Sequence, residues 1–326
     1  MYQSKLNIKQ TQQAIQDLKF DFTKQLHKRL HLTRVSAPLF VKSDSKINDG
    51  LNGETPVTFF PKGIDQQHEI VHSLAKWKRT ALQKYHFAKY EGIYTDMNAI
   101  RREEQLDYKH SYYVDQWDWE MIIDQSDRNV DFLKATVSKI YESIKFVKRE
   151  LILDFPQLVY DLPEELTFIT TQELYDLYPN LTPEQRENEF SKKHKAFFVI
   201  GVGYKLPDGV EHSKRAFDYD DWTLNGDLIV YDKVNDAALE ISSMGIRVDA
   251  SALAKQKEYL NIDDSKIGEY HNGIYQSTLP FTIGGGIGQS RLSMFLLEKK
   301  HIGEVQVSTW NEETKKHCSE NNIELL

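Results

Sequence analysis

Residues 284–291 read Gly284-Gly285-Gly286-Ile287-Gly288-Gln289-Ser290-Arg291 and carry the strongest indication of the fold. Glycines at alternate positions of a strand leave a bare backbone on which a flat ring can lie. The arginine falls where a helix is expected to open, and free amides and positive charge at that place suit a triphosphate. We therefore expect Gly286, Gly288 and Arg291 to bind a nucleotide. A dinucleotide-binding fingerprint is excluded, because it opens an early strand–helix unit and needs a later acid. A glycine bulge at a strand end is the purely structural alternative.

A second indication lies upstream, where Ile100-Arg101-Arg102-Glu103-Glu104 precedes an aromatic, alternating segment that is predicted to be a strand. The period of two places its polar positions on one face, opposite Trp117 and Trp119. That face consists of Val114, Gln116, Asp118 and Glu120. The pattern indicates a surface that holds a polar ligand, with an amphipathic strand exposed to water as the alternative.

A third indication is the segment Leu239–Asp249, which has an acidic residue, Glu240, near its start and an arginine, Arg247, near its end. Glu240 is a candidate ligand for Mg²⁺, because this ion prefers hard oxygen ligands and is commonly shared with phosphates. A charged strand end is the structural alternative.

The remaining periodicity predicts an α+β fold rather than a doubly wound sheet. Helices are expected over Thr11–Leu30, Phe132–Glu150 and Ser290–Leu297. Strands are expected over Leu32–Pro38, Thr55–Phe60, Tyr112–Glu120, Phe197–Gly203, Leu228–Tyr231 and Gln276–Ile283, the last one followed by a glycine-rich turn. No linker rich in Pro, Gly or Ser and no repeat divides the chain, so one domain over residues 1–326 is expected.

The composition is that of a globular protein, with 40% hydrophobic and 28% charged residues among 326. A net charge of -8 argues against general binding of nucleic acid, which draws on clustered Lys and Arg. Cys318 is the only cysteine, so no intrachain disulfide is possible and a reducing compartment is expected. We find no signal-peptide core and no apolar run of membrane-spanning length, and we expect a cytoplasmic protein without membrane partners.

The three segments, in this order along the chain, resemble the signature of class II aminoacyl-tRNA synthetases. That resemblance implies an antiparallel sheet flanked by helices, with the first helix and the strand ending at Pro38 at a dimer interface. His72-Ser73-Leu74-Ala75-Lys76-Trp77-Lys78 fits the frame of a substrate-binding segment in the aspartyl and asparaginyl members, with Ser73 and Lys78 in register. Val114 stands where those members have an adenine-stacking phenylalanine.

The segments 72–79, 114–120, 242–249 and 284–292 are similar almost letter for letter to the bacterial ammonia-dependent asparagine synthetases. This resemblance implies a ligase of amino-acid biosynthesis that makes L-asparagine from L-aspartate, ATP and ammonia through β-aspartyl-AMP, releasing AMP and pyrophosphate. It implies Mg²⁺ as cofactor and a homodimer. Arg101 is expected on the α-phosphate, Arg291 on the distal phosphates, Glu240 on the metal, and Glu103 or Glu104 on the adenine amino group.

The resemblance also suggests how the amino acid is held. The reaction occurs at the β-carboxylate, so we hypothesise that Lys78 and Arg247 bind the α-carboxylate, with Asp118 or Ser243 accepting from the α-amino group. Gln116 is expected to orient the ammonia or the reacting carbonyl. Asp49 is expected to attract ammonium and take its proton, although Asn48-Asp49-Gly50 also favours a turn on its own.

Other functions are weaker alternatives. His68-Glu69-Ile70-Val71-His72 matches the zinc-protease pattern, but in a strand the two histidines lie roughly 13 Å apart and cannot share a metal. An aminoacyl-tRNA synthetase or a tRNA-modifying relative would require tRNA, and the acidic chain shows no anticodon-binding domain. A catalytically inactive sensor of amino acids or nucleotides would not consume ATP.

Overall fold

The computed structural model describes residues 2–50 and 53–326. Its strands are β1 (Leu32–Arg34), β2 (Phe40–Lys42), β3 (Thr58–Phe59), β4 (His68–Ile70), β5 (Gly92–Ile100), β6 (Tyr113–Ile122), β7 (Thr167–Thr170), β8 (Ala196–Ile200), β9 (Asp220–Asp232), β10 (Ala237–Arg247) and β11 (Thr282–Gly288). Its helices are α1 (Ile8–Leu30), α2 (Ala75–Lys84), α3 (Val130–Asp154), α4 (Thr171–Leu177), α5 (Pro183–His194), α6 (Ala250–Tyr259), α7 (Glu269–Tyr275), α8 (Gln289–Leu296) and α9 (Glu312–Glu320).

The main sheet has eight strands in the order β1-β5-β6-β11-β10-β9-β8-β7. The outermost pairs, β1–β5 and β7–β8, are parallel, and the pairs between them are antiparallel. A second, small sheet has the order β2-β4-β3. The predicted α+β architecture, a largely antiparallel sheet flanked by helices, is confirmed.

Helix α1 begins three residues earlier than the periodicity predicts, because Asn7 caps it. The Asn7 side chain accepts a hydrogen bond from the amide of Gln10, and the Gln10 side chain accepts one from the amide of Asn7, which satisfies two free donors of the first turn. The helix ends at Leu30, and the C-cap residue His31 has a left-handed φ of 53°.

The apolar side of α1 packs inside the chain. Leu18, Phe22 and Leu26 are fully buried, and the Phe22 ring lies 4.7 Å from that of Trp117. The resemblance placed this helix at a dimer interface, and its apolar side chains are not available for such an interface. The correction follows from core packing, which covers that side of α1 within one chain, whereas Phe20 lies outside the core and is 68% exposed.

The prediction for the glycine-rich segment was wrong in its boundaries. The strand expected over Gln276–Ile283 is instead β11, at Thr282–Gly288, so the glycines form the strand itself, and Gln276 follows the end of α7. β11 lies between β6 and β10 and bonds to both, and this central position offsets the low strand propensity of glycine. A methyl group at Gly285 would lie 2.4 Å from Cβ of Met244, so this site excludes a side chain.

The predicted alternation of β6 is confirmed. Trp117 and Trp119 are 1% and 0% exposed and belong to the main hydrophobic core, together with residues of α1, α3 and α8. The opposite face of the strand carries Gln116, Asp118 and Glu120 next to the glycines of β11. β6 therefore packs against the core on one face and carries polar side chains on the other.

The zinc-protease pattern lies on β4 and the residues after it, as the strand prediction requires. The His68 ring bonds to the carbonyl of Gln66, 3.0 Å away. Within residues 2–50 and 53–326 no group of three or more His, Cys, Asp and Glu side chains is placed to hold a metal ion. No helix in the same ranges is long and apolar enough to cross a membrane.

Candidate active site

A cavity of about 350 Å³ opens above the middle of the main sheet, over β6, β11 and β10. Most of the residues singled out in the sequence line it, although they come from segments far apart in the chain. They are Ser73, Lys78, Arg101, Glu104, Val114, Gln116, Asp118, Glu240, Ser243, Arg247, Gly286, Gly288 and Arg291. Asp49 and Glu103 are not part of the lining.

The floor of the cavity is formed by two neighbouring strands with complementary surfaces. Gly286 pairs with Asp118 and Gly288 pairs with Gln116 across β11 and β6. A methyl group on Gly286 would lie 2.4 Å from Oε1 of Gln116 and 3.0 Å from Oδ1 of Asp118. The bare backbone of β11 therefore makes room for the polar side chains of β6.

Lys78 and Asp118 form an ion pair at one end of the cavity. Lys78 lies in the first turns of α2, and its Nζ donates to Oδ1 of Asp118 at 2.9 Å and to the carbonyl of Gly285 at 3.1 Å. The other carboxylate oxygen of Asp118 accepts from the amide of Leu74 at 3.1 Å. Both side chains are buried, so their charges are weakly screened and their positions are fixed by hydrogen bonds.

Arg247 lies at the same end, held by two buried carboxylates. Its guanidinium donates to Glu120 through Nε at 3.0 Å and Nη2 at 2.7 Å, and through Nη1 to Asp220. Burial raises the pKa of Glu120, but the charge of Arg247 outweighs it and holds that pKa below its usual value. The arginine is thus oriented before any ligand arrives.

The other end of the cavity is rich in arginine. Arg291, in the first turn of α8, donates to the carbonyl of Glu240 at 3.0 Å, and its Nη1 lies 3.8 Å from the Glu240 carboxylate. Arg101 follows directly after β5 and places its buried Nε where no partner is found in the described part of the chain. Burial raises the pKa of Glu240, but Arg291 and then Arg215 hold it below its usual value. The arginines and an ionised Glu240 suit phosphates accompanied by a divalent cation.

Arg215 was not identified from the sequence, although it lines the cavity. It forms an ion pair with Asp227, and its Nε is buried without a partner among residues 2–50 and 53–326. Burial raises the pKa of Asp227 to about 6, opposed by Arg215. Arg215 lies in the loop before β9, where Ser213-Lys214-Arg215 shows no periodic pattern that would distinguish it from a surface turn.

Asp49 lies behind the cavity wall and is connected to it by Ser73. The Ser73 hydroxyl donates to Oδ2 of Asp49, and Ser73 itself lines the cavity. Asp49 is 2% exposed, and its other oxygen, Oδ1, is buried with no hydrogen-bond partner in the described ranges. Burial raises the pKa of Asp49 to about 6, against the lowering effect of Lys76. Such a carboxylate suits a small cation that brings its own hydrogen-bond donors.

A sequence model of a family described as AsnA, aspartate-ammonia ligase, matches residues 9–322. The chain belongs to the aspartate–ammonia ligase family. An aspartate–ammonia ligase of Clostridium perfringens strain SM101 is 53% identical, with 100% of this chain and 97% of that protein covered. One from Bacillus mycoides is 51% identical, with 100% of both chains covered.

The fold of this ligase is also that of class II synthetases. The asparaginyl-tRNA synthetase of Pyrococcus horikoshii in complex with asparaginyl-adenylate superimposes with a TM-score of 0.67 at 16% identity, covering 91% of this chain and 67% of that one. The asparaginyl-tRNA synthetase of Entamoeba histolytica gives 0.67 at 14% identity, covering 92% and 67%. Identities this low show the common fold alone. The family establishes the reaction, the formation of asparagine from aspartate and ammonia.

The two glutamates that were predicted to contact adenine lie in different environments in this ligase. Glu104 lines the cavity, whereas Glu103 is exposed and accepts from the amide of Thr55 at 3.2 Å. Ser111 and Gln306 also line this side, and neither was identified from the sequence. Of these two predicted residues, Glu104 is therefore the one that a molecule in the cavity could contact.

Proposed function

We propose that this ligase activates aspartate as β-aspartyl-AMP and then transfers the acyl group to ammonia, within one domain spanning the chain. The observation that carries this proposal is the division of a single cavity into an arginine-rich end and an end with paired carboxylates and cations. The first end suits the phosphates of ATP, the second suits an amino acid, and Gln116 lies on the strand between them. Such an arrangement brings a carboxylate to a phosphate without water between them.

In the first step a β-carboxylate oxygen of aspartate attacks the α-phosphorus of ATP, and the bond from that phosphorus to the bridging oxygen of pyrophosphate breaks. Arg101 binds the α-phosphate and stabilises the charge that develops there, while Arg291 binds the distal phosphates. Arg215, whose Nε has no hydrogen-bond partner among the residues that the structure describes, adds a third cation. Gly286, Gly288 and Val114 form the surface for the adenine, and Glu104 accepts from its amino group.

The residues present fit a magnesium ion. Mg²⁺ keeps several waters and is commonly bound by one or two carboxylates together with substrate phosphates, so Glu240 alone, opposite Arg291, is a sufficient protein ligand. When bound, the ion neutralises charge on the leaving pyrophosphate.

The amino acid is oriented by its α-carboxylate, which we assign to Lys78 and Arg247. Both cations are buried and already fixed by carboxylates, so little conformational freedom is lost when aspartate binds. Asp118, which lines the cavity beside Lys78, accepts from the α-amino group, with Ser243 as the second acceptor. The side chain of aspartate then points toward the arginine-rich end.

In the second step ammonia attacks the β-acyl carbon and the new C–N bond forms. The bond from that carbon to the phosphate oxygen breaks as AMP leaves with the electron pair, and the added nitrogen releases one proton to solvent to give the neutral amide. At neutral pH most ammonia is ammonium, so a proton must be removed first. Asp49 takes that proton, and the acceptor is its Oδ1, for which the described residues supply no hydrogen-bond partner. Gln116 orients the acyl carbonyl or the incoming nitrogen.

The assembly we propose is a homodimer in the cytoplasm, with the exposed side of α1 near the two-fold axis. Phe20 on this helix and Leu39 and Phe40 nearby in the chain are large apolar side chains that remain exposed. Exposed apolar groups of this size favour burial against a second copy.

Mixing the protein with aspartate, ATP, Mg²⁺ and ammonium should give asparagine, AMP and pyrophosphate in equal amounts. ADP as the product would contradict the adenylate. Arg101→Ala should lower the rate of aspartate-dependent ATP–pyrophosphate exchange by roughly 10²–10³-fold, as for the loss of one transition-state donor. Arg102→Ala is the matched control, because Arg102 is exposed and does not line the cavity. Equal rates in the two variants would remove Arg101 from the phosphate site.

A further inference from the structure

A network of three buried polar side chains, Lys76, Asp218 and His271, lies next to Asp49 at the start of α2. Ser73 joins the two places, because its hydroxyl donates to Asp49 and accepts from the amide of Ala75 at 3.2 Å. Lys76, in the first turn of α2, donates from Nζ to Oδ2 of Asp218 at 2.8 Å. His271, on α7, bonds through Nε2 to the same oxygen at 3.0 Å. The three side chains are buried and none of them lines the cavity, so they do not act on the substrates directly.

The hydrogen bonds of His271 and Asp218 indicate which of their atoms carry protons. The amide of Gly268 donates to Nδ1 of His271 at 3.0 Å, so Nδ1 carries no proton and Nε2 is the nitrogen that donates to Asp218. The ring of Phe217 stacks on the imidazole with centroids 5.7 Å apart. Burial raises the pKa of Asp218, but Lys76 and His271 outweigh it and lower that pKa to about 2. Asp218 is therefore an anion that binds the Lys76 ammonium.

This arrangement leaves Asp49 incompletely neutralised. The groups that face it from the surrounding elements are Lys76 on α2, Asp118 on β6, Asp218 and Tyr219 before β9, Ser73, and the His72 ring near its backbone carbonyl. Burial lowers the pKa of His72. Lys76 is the cation of this set, and its ammonium is bonded to Asp218. A carboxylate bonded directly to a buried lysine would be a weak base, whereas one that shares its lysine with a second carboxylate keeps a greater affinity for protons.

We infer that Lys76, Asp218 and His271 are positioning residues that set the basicity of Asp49 for the deprotonation of ammonium. The inference rests on the proposed role of Asp49 in the second step. His271 keeps Asp218 ionised, Asp218 holds the Lys76 ammonium, and Asp49 can therefore take one proton from ammonium and release it after AMP has left. Lys76, Asp218 and His271 themselves do not contact the substrates.

Two substitutions should move the pH dependence of amide formation in opposite directions. Lys76→Met removes the cation near Asp49, so the acid limb of the pH–rate profile should shift upward by roughly one to three pH units. Asp218→Asn removes an anion and frees Lys76 to pair with Asp49, so the acid limb should shift downward. Lys76→Arg keeps the charge and should keep the wild-type limb. The rate is measured by single turnover from preformed β-aspartyl-AMP with ammonium.

The matched control is Lys148→Met. Lys148 is as deeply buried as Lys76 and pairs with Glu298 at 3.1 Å, but it lies outside the cavity lining and was assigned no role. Its loss should lower the melting temperature without moving the acid limb. Should Lys76→Met not fold, Asp218→Asn alone decides the sign. Unmoved limbs in the variants that fold, or shifts of the same sign in both, would overturn the inference.

Failure of the inference is distinguishable from failure of the role of Asp49. Asp49→Asn should abolish amide formation from ammonium while ATP–pyrophosphate exchange continues. If it forms amide at the wild-type rate, the proposed base is wrong and the inference fails with it. If Asp49→Asn loses that activity while Lys76→Met and Asp218→Asn keep the wild-type acid limb of the pH–rate profile, Asp49 remains the proposed base. Only the positioning role of Lys76, Asp218 and His271 is then refuted. Hydroxylamine, which is uncharged at neutral pH, should restore amide-type product in Lys76→Met, and equal loss with both nucleophiles would also refute the inference.

Discussion

Replacing Gly286 by alanine adds one methyl group to the centre of the cavity floor. The added Cβ would lie 2.4 Å from Oε1 of Gln116, whereas ordinary contact begins at 3.4 Å. The Gln116 amide must therefore retreat by about 1 Å, and the end of its flexible side chain can do so. A displacement of about 1 Å from a reacting group typically costs about 10²-fold in rate, roughly 2.7 kcal/mol, so we expect asparagine formation to fall by that factor.

The same substitution one residue earlier should give the opposite result. A methyl on Gly285 would lie 2.6 Å from the carbonyl of Ser243 and 3.0 Å from Cα of Met244, and neither backbone atom can retreat without breaking the pairing of β10 with β11. Gly285→Ala should therefore lower the melting temperature, whereas Gly286→Ala should keep it within about 2 °C of wild type, because only side-chain atoms have to move.

A double-mutant cycle tests whether Gly286→Ala acts through Gln116. Gln116→Ala should itself cost about 10²-fold, and adding Gly286→Ala should then cost little, because the side chain that the methyl displaces is gone. The measurements are steady-state asparagine formation and thermal unfolding of the four proteins. If Gly286→Ala lowers the rate by the same factor with and without Gln116, the methyl acts elsewhere, for example on Asp118, and the reasoning is refuted.

Three further predictions concern stability, orientation and assembly. Arg247→Met leaves the buried carboxylates of Glu120 and Asp220 without their cation. In urea unfolding at pH 8 it should lower the free energy of unfolding by about 3–5 kcal/mol. Arg149→Met, which removes an exposed ion pair, should lower it by less than about 1 kcal/mol. Without the cation these carboxyls have raised pKa values in the folded state and take up protons as the pH falls, so the deficit should shrink between pH 8 and pH 5, and a constant deficit would contradict the charge argument. In calorimetry with AMP present, asparagine should bind and aspartate α-amide should not, and the reverse order would show that Lys78 grips the β-carboxylate. Light scattering at micromolar concentration should show a dimer, and a monomer would count against the proposed use of the exposed side of α1.

Local patterns in the sequence predicted the parts of the site that depend on a single element. The period of two in β6 correctly separates Gln116 and Asp118 from the tryptophans, because alternation follows from the strand geometry alone. The glycine-rich segment was predicted to be a nucleotide surface, and Gly286 and Gly288 do line the cavity, although the strand was placed too early. β5 was not predicted, although it carries Arg101 directly after its end.

The partners of these residues were beyond local patterns, because they are brought together by the fold. Glu120 and Arg247 are 127 positions apart, and Lys76 and Asp218 are 142 apart. Contacts between such distant residues decide whether an arginine is available to bind a phosphate or is already held in a buried ion pair. For this reason Arg215 and the network of Lys76, Asp218 and His271 next to Asp49 could be identified only from the structure.

The strand β6 leaves no side on which substitutions are free of consequence. Trp117 and Trp119 fill the core against α1, Gln116 and Asp118 face the cavity, and Asp115 accepts from the amide and hydroxyl of Ser290 at the start of α8. A mutation that alters packing is therefore transmitted to the substrate surface, and one that alters the surface disturbs the packing. Saturation mutagenesis selected for growth without asparagine should tolerate fewer substitutions along β6 than along α9, and adaptation to a new acyl substrate should begin at the ends of the cavity rather than at this strand.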